Sequence, residues 1–350
     1  MPALNSGLIL ITGASGYIGT YTVEVALKAG YAVRLAVRSA DKGEYLKTRF
    51  AEYKDLVSYT IVKDMDAKGA YDEAVAGIDG VIHLASPVDL GFAGLASDMI
   101  AEAVTGVDNL LKALASTSTK RVVLLSSVVS VGPAMRPVEE QGTKKVVYTE
   151  AQWNDANVAE ALKLEAAAPG HIKYAASKNE AEREFWKWIK ANHPAFDGVA
   201  ILPAFNFGPP TQYGLGIPES VSIITPWLKP GADASTLNFE FAGMVDVRDV
   251  AYATVKALST PEAGGERYIL SAHTLFNNDL AIGATSDEAN AAGLTRGNTD
   301  PAFRAELDSK AIIYDGSKAE KAFGFKYRGK DETIAETVKT IHKNRAGAPL

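Results

Sequence analysis

The chain has 350 residues, 47% of them hydrophobic and 22% charged, enough to bury a sizeable core as one large domain or two intimately joined parts. A formal net charge of −6 disfavours nucleic acid or an anionic membrane surface as partner, since both need a concentrated basic face. The absence of cysteine excludes disulfides, thiolate metal sites and a cysteine nucleophile. The first seven residues lack the basic region of a secretion signal, and no apolar run reaches the roughly 18 residues of a membrane-spanning helix, so a cytoplasmic protein is expected.

The apolar run Ile9-Leu10-Ile11 meets Gly13, Gly16 and Gly19, and a helical pattern follows from Tyr21 to Lys28. Strand, tight turn and helix in this order form an anion cradle: the glycines let the backbone approach a pyrophosphate, and free N–H groups with the helix dipole stabilise its charge. Ser15, Tyr17 and Ile18 lie in the same turn. A second strand, Tyr31 to Val37, ends at Arg38, about 20 residues past the glycines, where a ribose-reading residue is expected. A guanidinium there, with Lys42 nearby, suits the 2′-phosphate of NADP rather than the 2′-hydroxyl of NAD.

Val57 to Val62 is a third strand running to Asp64 and Met65, and Gly80 to Pro87 is a fourth. Strands alternating with helices predict a doubly wound parallel sheet of Rossmann type, with ligands beyond the carboxyl ends of the strands. That places Asp64, Met65, Leu84, Ala85 and Ser86 along the cofactor groove; His83, inside the apolar run, reads as a packed residue, and no metal site is expected. After a helix over 97–114, a fifth strand from Arg121 runs into Ser126, Ser127 and Ser130, whose hydroxyls face the crevice. Residues 133–173 read as a surface excursion whose last helix ends at Pro169-Gly170. Tyr174 then opens a long helix on which Lys178, four residues on, shares its face. A sixth strand over 198–202 ends at Pro203, and beyond it the doubly wound pattern fades into a smaller substrate-side lobe. The expected division is a cofactor-binding core over 1–200 that carries the reactive residues, with 201–350 interleaved against it.

A glycine turn after strand one, serines ending strand five and a Tyr-x-x-x-Lys helix, in this order, resemble the extended short-chain dehydrogenase/reductases. The runs Thr12 to Gly19, Val33 to Arg38, His83 to Pro87 and Tyr174 to Lys178 are similar to the dihydroflavonol-reductase-like branch. Arg38 to Lys42, Asp64-Met65 and Gly69 to Asp72 resemble its fungal NADPH-dependent aldehyde and ketone reductases. The resemblance implies reduction of a small carbonyl substrate with NADP(H) as cofactor. Tyr174 is then the proton donor, Lys178 lowers its pKa and holds the ribose, and Ser127, rather than Ser126 or Ser130, orients the carbonyl oxygen. Pro203 and Phe205 join the cofactor contacts, although packing beneath the cofactor loop is the reading favoured for Phe205 and Phe207. Ala103 stands where many members carry a relay asparagine. By position, Pro87, Leu90, Val128, Asn206 and Tyr213 are expected around the substrate. An NAD-dependent nucleotide-sugar epimerase or dehydratase and a non-catalytic NADP-sensing regulator are the alternatives. The chain is expected as a monomer or homodimer.

Overall fold

The computed structural model describes residues 3–86, 89–135, 143–214 and 216–344. Its first half alternates strongly: β1 (Leu8–Thr12), α1 (Tyr17–Lys28), β2 (Ala32–Val37), α2 (Ala40–Arg49), β3 (Val57–Ile61), β4 (Gly80–His83), α3 (Ala96–Leu114) and β5 (Arg121–Leu125). Then come β6 (Val146–Tyr148), α4 (Asp155–Leu164), α5 (Gly170–Asn192), β7 (Asp197–Pro203), β8 (Phe205–Phe207) and α6 (Glu219–Ser222). The last third holds β9 (Glu240–Asp246), α7 (Val247–Ser259), β10 (Arg267–Leu270), β11 (His273–Phe276), α8 (Asn277–Ala284), α9 (Pro301–Ser309), β12 (Ile312–Tyr314), α10 (Ser317–Phe323) and α11 (Lys330–Asn344).

The main sheet runs β10-β7-β5-β4-β1-β2-β3 with every pairing parallel. Its strands read as continuous apolar runs because helices cover both faces. Residues Met99, Ala103, Val107, Leu110, Leu111 and Leu114 bury the inner stripe of α3, which packs on α5 at one face, while α1 and α7 pack together at the other. Strand order reverses between β1 and β4, and a crevice opens there beyond the carboxyl ends of both strands.

Two departures from the sequence reading concern boundaries. The helix carrying Tyr174 begins at Gly170, one turn earlier than expected, and Pro169 is its N-cap. A proline-glycine pair that terminates one helix equally well precedes the first turn of the next, where a missing N–H costs nothing. The doubly wound pattern also continues past residue 200, since α7 and β10 complete the main sheet. A three-stranded sheet, β11-β9-β8, and the parallel pair β12-β6 stand apart from the main sheet. The segment expected as a surface excursion is pinned by that pair and by Asn154, whose amide donates to the carbonyls of Val129 and Gly132.

One buried ion pair ties the amino ends of β5 and β7 to the end of α7. Arg121, with 0% exposure, donates to both carboxylate oxygens of Asp197 at 2.7 Å and to the Ala257 carbonyl at 2.7 Å. Removing one partner strands a buried charge. Arg121→Met is expected to destabilise the fold by about 3–5 kcal/mol, read by urea unfolding. The double replacement of Arg121 and Asp197 by apolar residues should recover much of that loss. A single-variant loss of less than about 1 kcal/mol would show the pair to be incidental.

Candidate active site

The crevice starts at the glycine turn. Gly13 has φ +66°, and a Cβ there would lie 2.9 Å from the Ala85 nitrogen; at Gly19 it would lie 2.1 Å from the Gly13 carbonyl oxygen. Only bare backbone fits, so the start of α1 tucks under the turn with its N–H groups directed outward. Thr12 fixes the neighbouring strand end: its hydroxyl accepts from the Leu84 and Ala85 N–H groups at 3.1 Å and bonds His83 Nδ1 at 2.8 Å. Burial, aided by the Lys178 charge, pushes His83 down to about 3, so this histidine is a neutral packed residue.

From the turn an open groove of about 460 Å³ runs along the strand ends, lined by Gly13, Ser15, Gly16, Tyr17, Ile18, Gly19, Arg38, Lys42, Met65, Leu84, Ala85, Ser86, Tyr174 and Asn206. Arg38 is exposed at the end of β2 and, among the described residues, has no carboxylate partner. Lys42 lies over the Tyr213 ring, 5.9 Å from its centroid. Asp64 does not line the groove; it is exposed, and its carboxylate accepts the Asp66 N–H at 2.9 Å to close a turn that presents Met65. Pro203 and Phe205 are not on the wall either. The Pro203 carbonyl accepts from Ser127 Oγ at 3.4 Å, and Phe205 packs edge-on against Phe241. Phe207 is buried beside Tyr17, whose hydroxyl donates to Gly208 O at 2.7 Å.

At the far end of the groove, Ser127 caps a single turn over Val128–Ser130, accepting the Val129 N–H at 3.4 Å. The Ser127 hydroxyl is the polar side-chain neighbour that favours ionisation of the Tyr174 hydroxyl. Burial pushes Tyr174 up to about 12, with the Ser127 hydroxyl opposing. One turn along α5, Lys178 Nζ donates to the Leu125 carbonyl at 2.8 Å; burial pushes it down to about 8, with Glu182 opposing. The influence that opposes burial at Tyr174 comes from Ser127, while the Lys178 ammonium is engaged by Leu125. Ser126 and Ser130 both donate to the Glu182 carboxylate, at 2.6 and 2.7 Å, which leaves Ser127 as the serine that meets Tyr174.

Residues 9–271 match the NAD dependent epimerase/dehydratase family. The chain belongs to this family. Within it, ketoreductase azaE of Aspergillus niger is 30% identical over 348 residues, covering 95% of this chain and 97% of that protein. Aldehyde reductase 2 of Sporidiobolus salmonicolor is 38% identical over 215 residues, 59% of this chain and 61% of that one. Among solved structures, Gre2 of Candida albicans in complex with NADPH superposes with a TM-score of 0.84 at 27% identity, covering 96% of this chain and 99% of its own. The resemblance to fungal carbonyl reductases is borne out by these relatives, and the Rossmann-type fold by the superposition. The family's dinucleotide fits the crevice on this chain's own geometry: a cradle that a Cβ would fill, facing a guanidinium with no carboxylate partner among the described residues.

The substrate-side expectations fare less well in this epimerase/dehydratase-family chain. Asn206 lines the groove, its amide donating to the Ala204 carbonyl at 3.1 Å. Val128 is only 2% exposed and packs inward among Ala200, Leu202 and Ile269, because the turn after β5 rotates it off the crevice wall. Leu90 abuts Gly170 through its carbonyl and does not reach the groove. Tyr213 stands at the opposite end from Tyr174: its hydroxyl donates to Asp41 at 2.8 Å and its ring meets Tyr45, because the loop after β8 runs back over the glycine turn, with the Tyr213 N–H bonded to Ser15 O. Pro87 lies outside the described residues. Sequence reasoning missed Gln212, Glu219 and Ser220, which also line the groove. It also missed Glu182, which was readable as an acid on the buried face of a helix, eight residues beyond Tyr174.

Proposed function

We propose that this chain reduces aldehydes, ketones or keto esters to alcohols with NADPH in the cytoplasm. The observation that carries the reading is that Tyr174, with the Ser127 hydroxyl as its polar neighbour, lines the same groove as the glycine turn. Gly13 to Gly19 would hold the pyrophosphate, Arg38 and Lys42 the 2′-phosphate, and Lys178 the ribose nearest the reacting end. When bound, the nicotinamide supplies hydride to the carbonyl carbon. Charge then builds on the carbonyl oxygen, and Ser127 is placed to hold that atom by a hydrogen bond. Tyr174, with its pKa near 12, is fully protonated at neutral pH and hands its proton to the same oxygen. The phenolate left behind would be stabilised by the Lys178 ammonium, one helical turn along α5. The related enzymes named above support this direction of reaction.

The test is consumption of NADPH, followed by absorbance, against a panel of ketones, aldehydes and nucleotide sugars. Turnover of ketones or aldehydes is expected. Activity confined to nucleotide sugars would replace the reading with an epimerase-like one, and NADPH binding without any turnover would favour a regulator.

A further inference from the structure

Glu182 is 0% exposed, yet both of its oxygens are saturated with donors from four directions. Its Oε2 accepts from Ser126 Oγ at 2.6 Å, Ser130 Oγ at 2.7 Å and Arg267 Nη2 at 3.2 Å. Its Oε1 accepts from Arg267 Nε at 2.6 Å and Trp186 Nε1 at 3.2 Å. Arg267, at the start of β10, spends its remaining N–H groups on the carbonyls of Glu150 and Gln152 and on Ser130 Oγ, and stacks on Trp153 with 3.8 Å to the ring centroid. Stability alone does not call for such a hub, because an apolar cluster of equal volume is commonly as stable as a buried ion pair. Its geometry instead concerns the reacting end. Ser126 and Ser130 flank Ser127, and Glu182 falls on the face of α5 that carries Tyr174 and Lys178 at four-residue spacing.

We propose that Glu182 is a positioning residue: one carboxylate clamps the Ser127 segment against the Tyr174 and Lys178 face of α5, and its charge keeps Lys178 cationic. This rests on the reductase reading above. The surroundings of Lys178 bear out the electrostatic part. On its own helix it is faced by Tyr174 and Glu182; β4 brings neutral His83, β5 the Leu125 carbonyl and Ser126, and β10 brings Arg267 behind Glu182. From α3, Glu102 lines the same small cavity, which has room for about one water molecule, but Glu102 is exposed and its charge is screened by solvent. Glu182 is thus the buried negative charge that opposes the desolvation of Lys178.

Lys178 loses its charge as pH rises through about 8, so the basic limb of kcat/KM is expected there. Glu182→Gln removes the charge at nearly constant volume and should move this limb down by about one pH unit or more. It should also lower kcat by about 10- to 100-fold with little change in KM. Glu182→Asp keeps the charge but cannot span both serines and Arg267, so kcat should fall while the limb stays in place. A second readout needs no turnover. Burial holds Lys178 below its unfolded value, so the cofactor-free chain gains stability as pH climbs through about 8 towards the ordinary lysine range, and in Glu182→Gln the gain in Tm should begin at lower pH. A folded Glu182→Gln protein with wild-type kcat, limb and Tm profile overturns the proposal. Should that variant not fold, Ser126→Ala and Ser130→Ala each cut a tether and keep the carboxylate; unchanged kcat in both overturns it equally. Wild-type turnover of a ketone reports separately on the reductase reading, because the proposal is read from ratios of variant to wild type and from the Tm profile.

Discussion

Tyr174→Phe is expected to lower kcat for ketone reduction by about 10²- to 10⁴-fold while NADPH still binds with near-normal affinity. The ring sits among Val129, Ala134 and Ala175, and phenylalanine keeps that packing, so the fold and the glycine turn are untouched. What disappears is the hydroxyl next to Ser127. A donor with a pKa near 12 is protonated across the whole neutral range, so no change of pH in that range can substitute for its loss. Ser127→Ala should cost less than the tyrosine change, since it removes a hydrogen bond to the developing oxyanion but leaves the proton source in place. Steady-state kinetics together with a fluorescence titration of NADPH separate the two effects. Near-normal turnover by Tyr174→Phe would remove this residue as the acid and move the chemistry elsewhere in the groove.

The parts of this site that could be read from sequence are those set by local pattern. Gly13, Gly16 and Gly19 follow an apolar run and precede a helix, and a tight strand-to-helix turn needs no distant partner. Tyr174 and Lys178 share a face because helical spacing alone puts them there. The choice among Ser126, Ser127 and Ser130 was open to composition and spacing, since it depends on Glu182 arriving from a helix more than fifty residues away to occupy two of the three hydroxyls. Tyr213 lies at the other end of the groove from Tyr174 for a similar reason: the direction of a long loop is set by backbone bonds such as Tyr213 N–H to Ser15 O, which leave no periodic trace. The strands outside the main sheet were hardest to read. Four of the five are only three or four residues long, and they pair across the chain, as Val146–Tyr148 does with Ile312–Tyr314, so alternation alone establishes little.

Arg38→Asp is expected to reduce the ratio of kcat/KM for NADPH over NADH by about 10²- to 10³-fold. The guanidinium ends β2 at the edge of the groove, exposed and without a carboxylate partner among the described residues, so its fork is available to the 2′-phosphate. Hydrogen bonds to a charged group are each worth about 1.5–3 kcal/mol, and a tenfold change in affinity corresponds to about 1.4 kcal/mol. Losing a two-pronged contact therefore accounts for most of the expected change. The remainder is repulsion, because the new carboxylate would face a phosphate, whereas the free 2′-hydroxyl of NADH could donate to it. Asp41 next door does not already supply that repulsion unopposed: its carboxylate accepts from the Tyr213 hydroxyl, and Lys42 lies over the same tyrosine ring. Lys42→Ala should therefore act in the same direction but more weakly, as the loss of a point charge rather than of a planar fork. The wild-type KM for NADPH should also rise more steeply with ionic strength than that for NADH, since exposed cations are screened by salt. If the Arg38→Asp ratio stays at its wild-type value, the phosphate is bound by other groups and the assignment of this end of the groove falls.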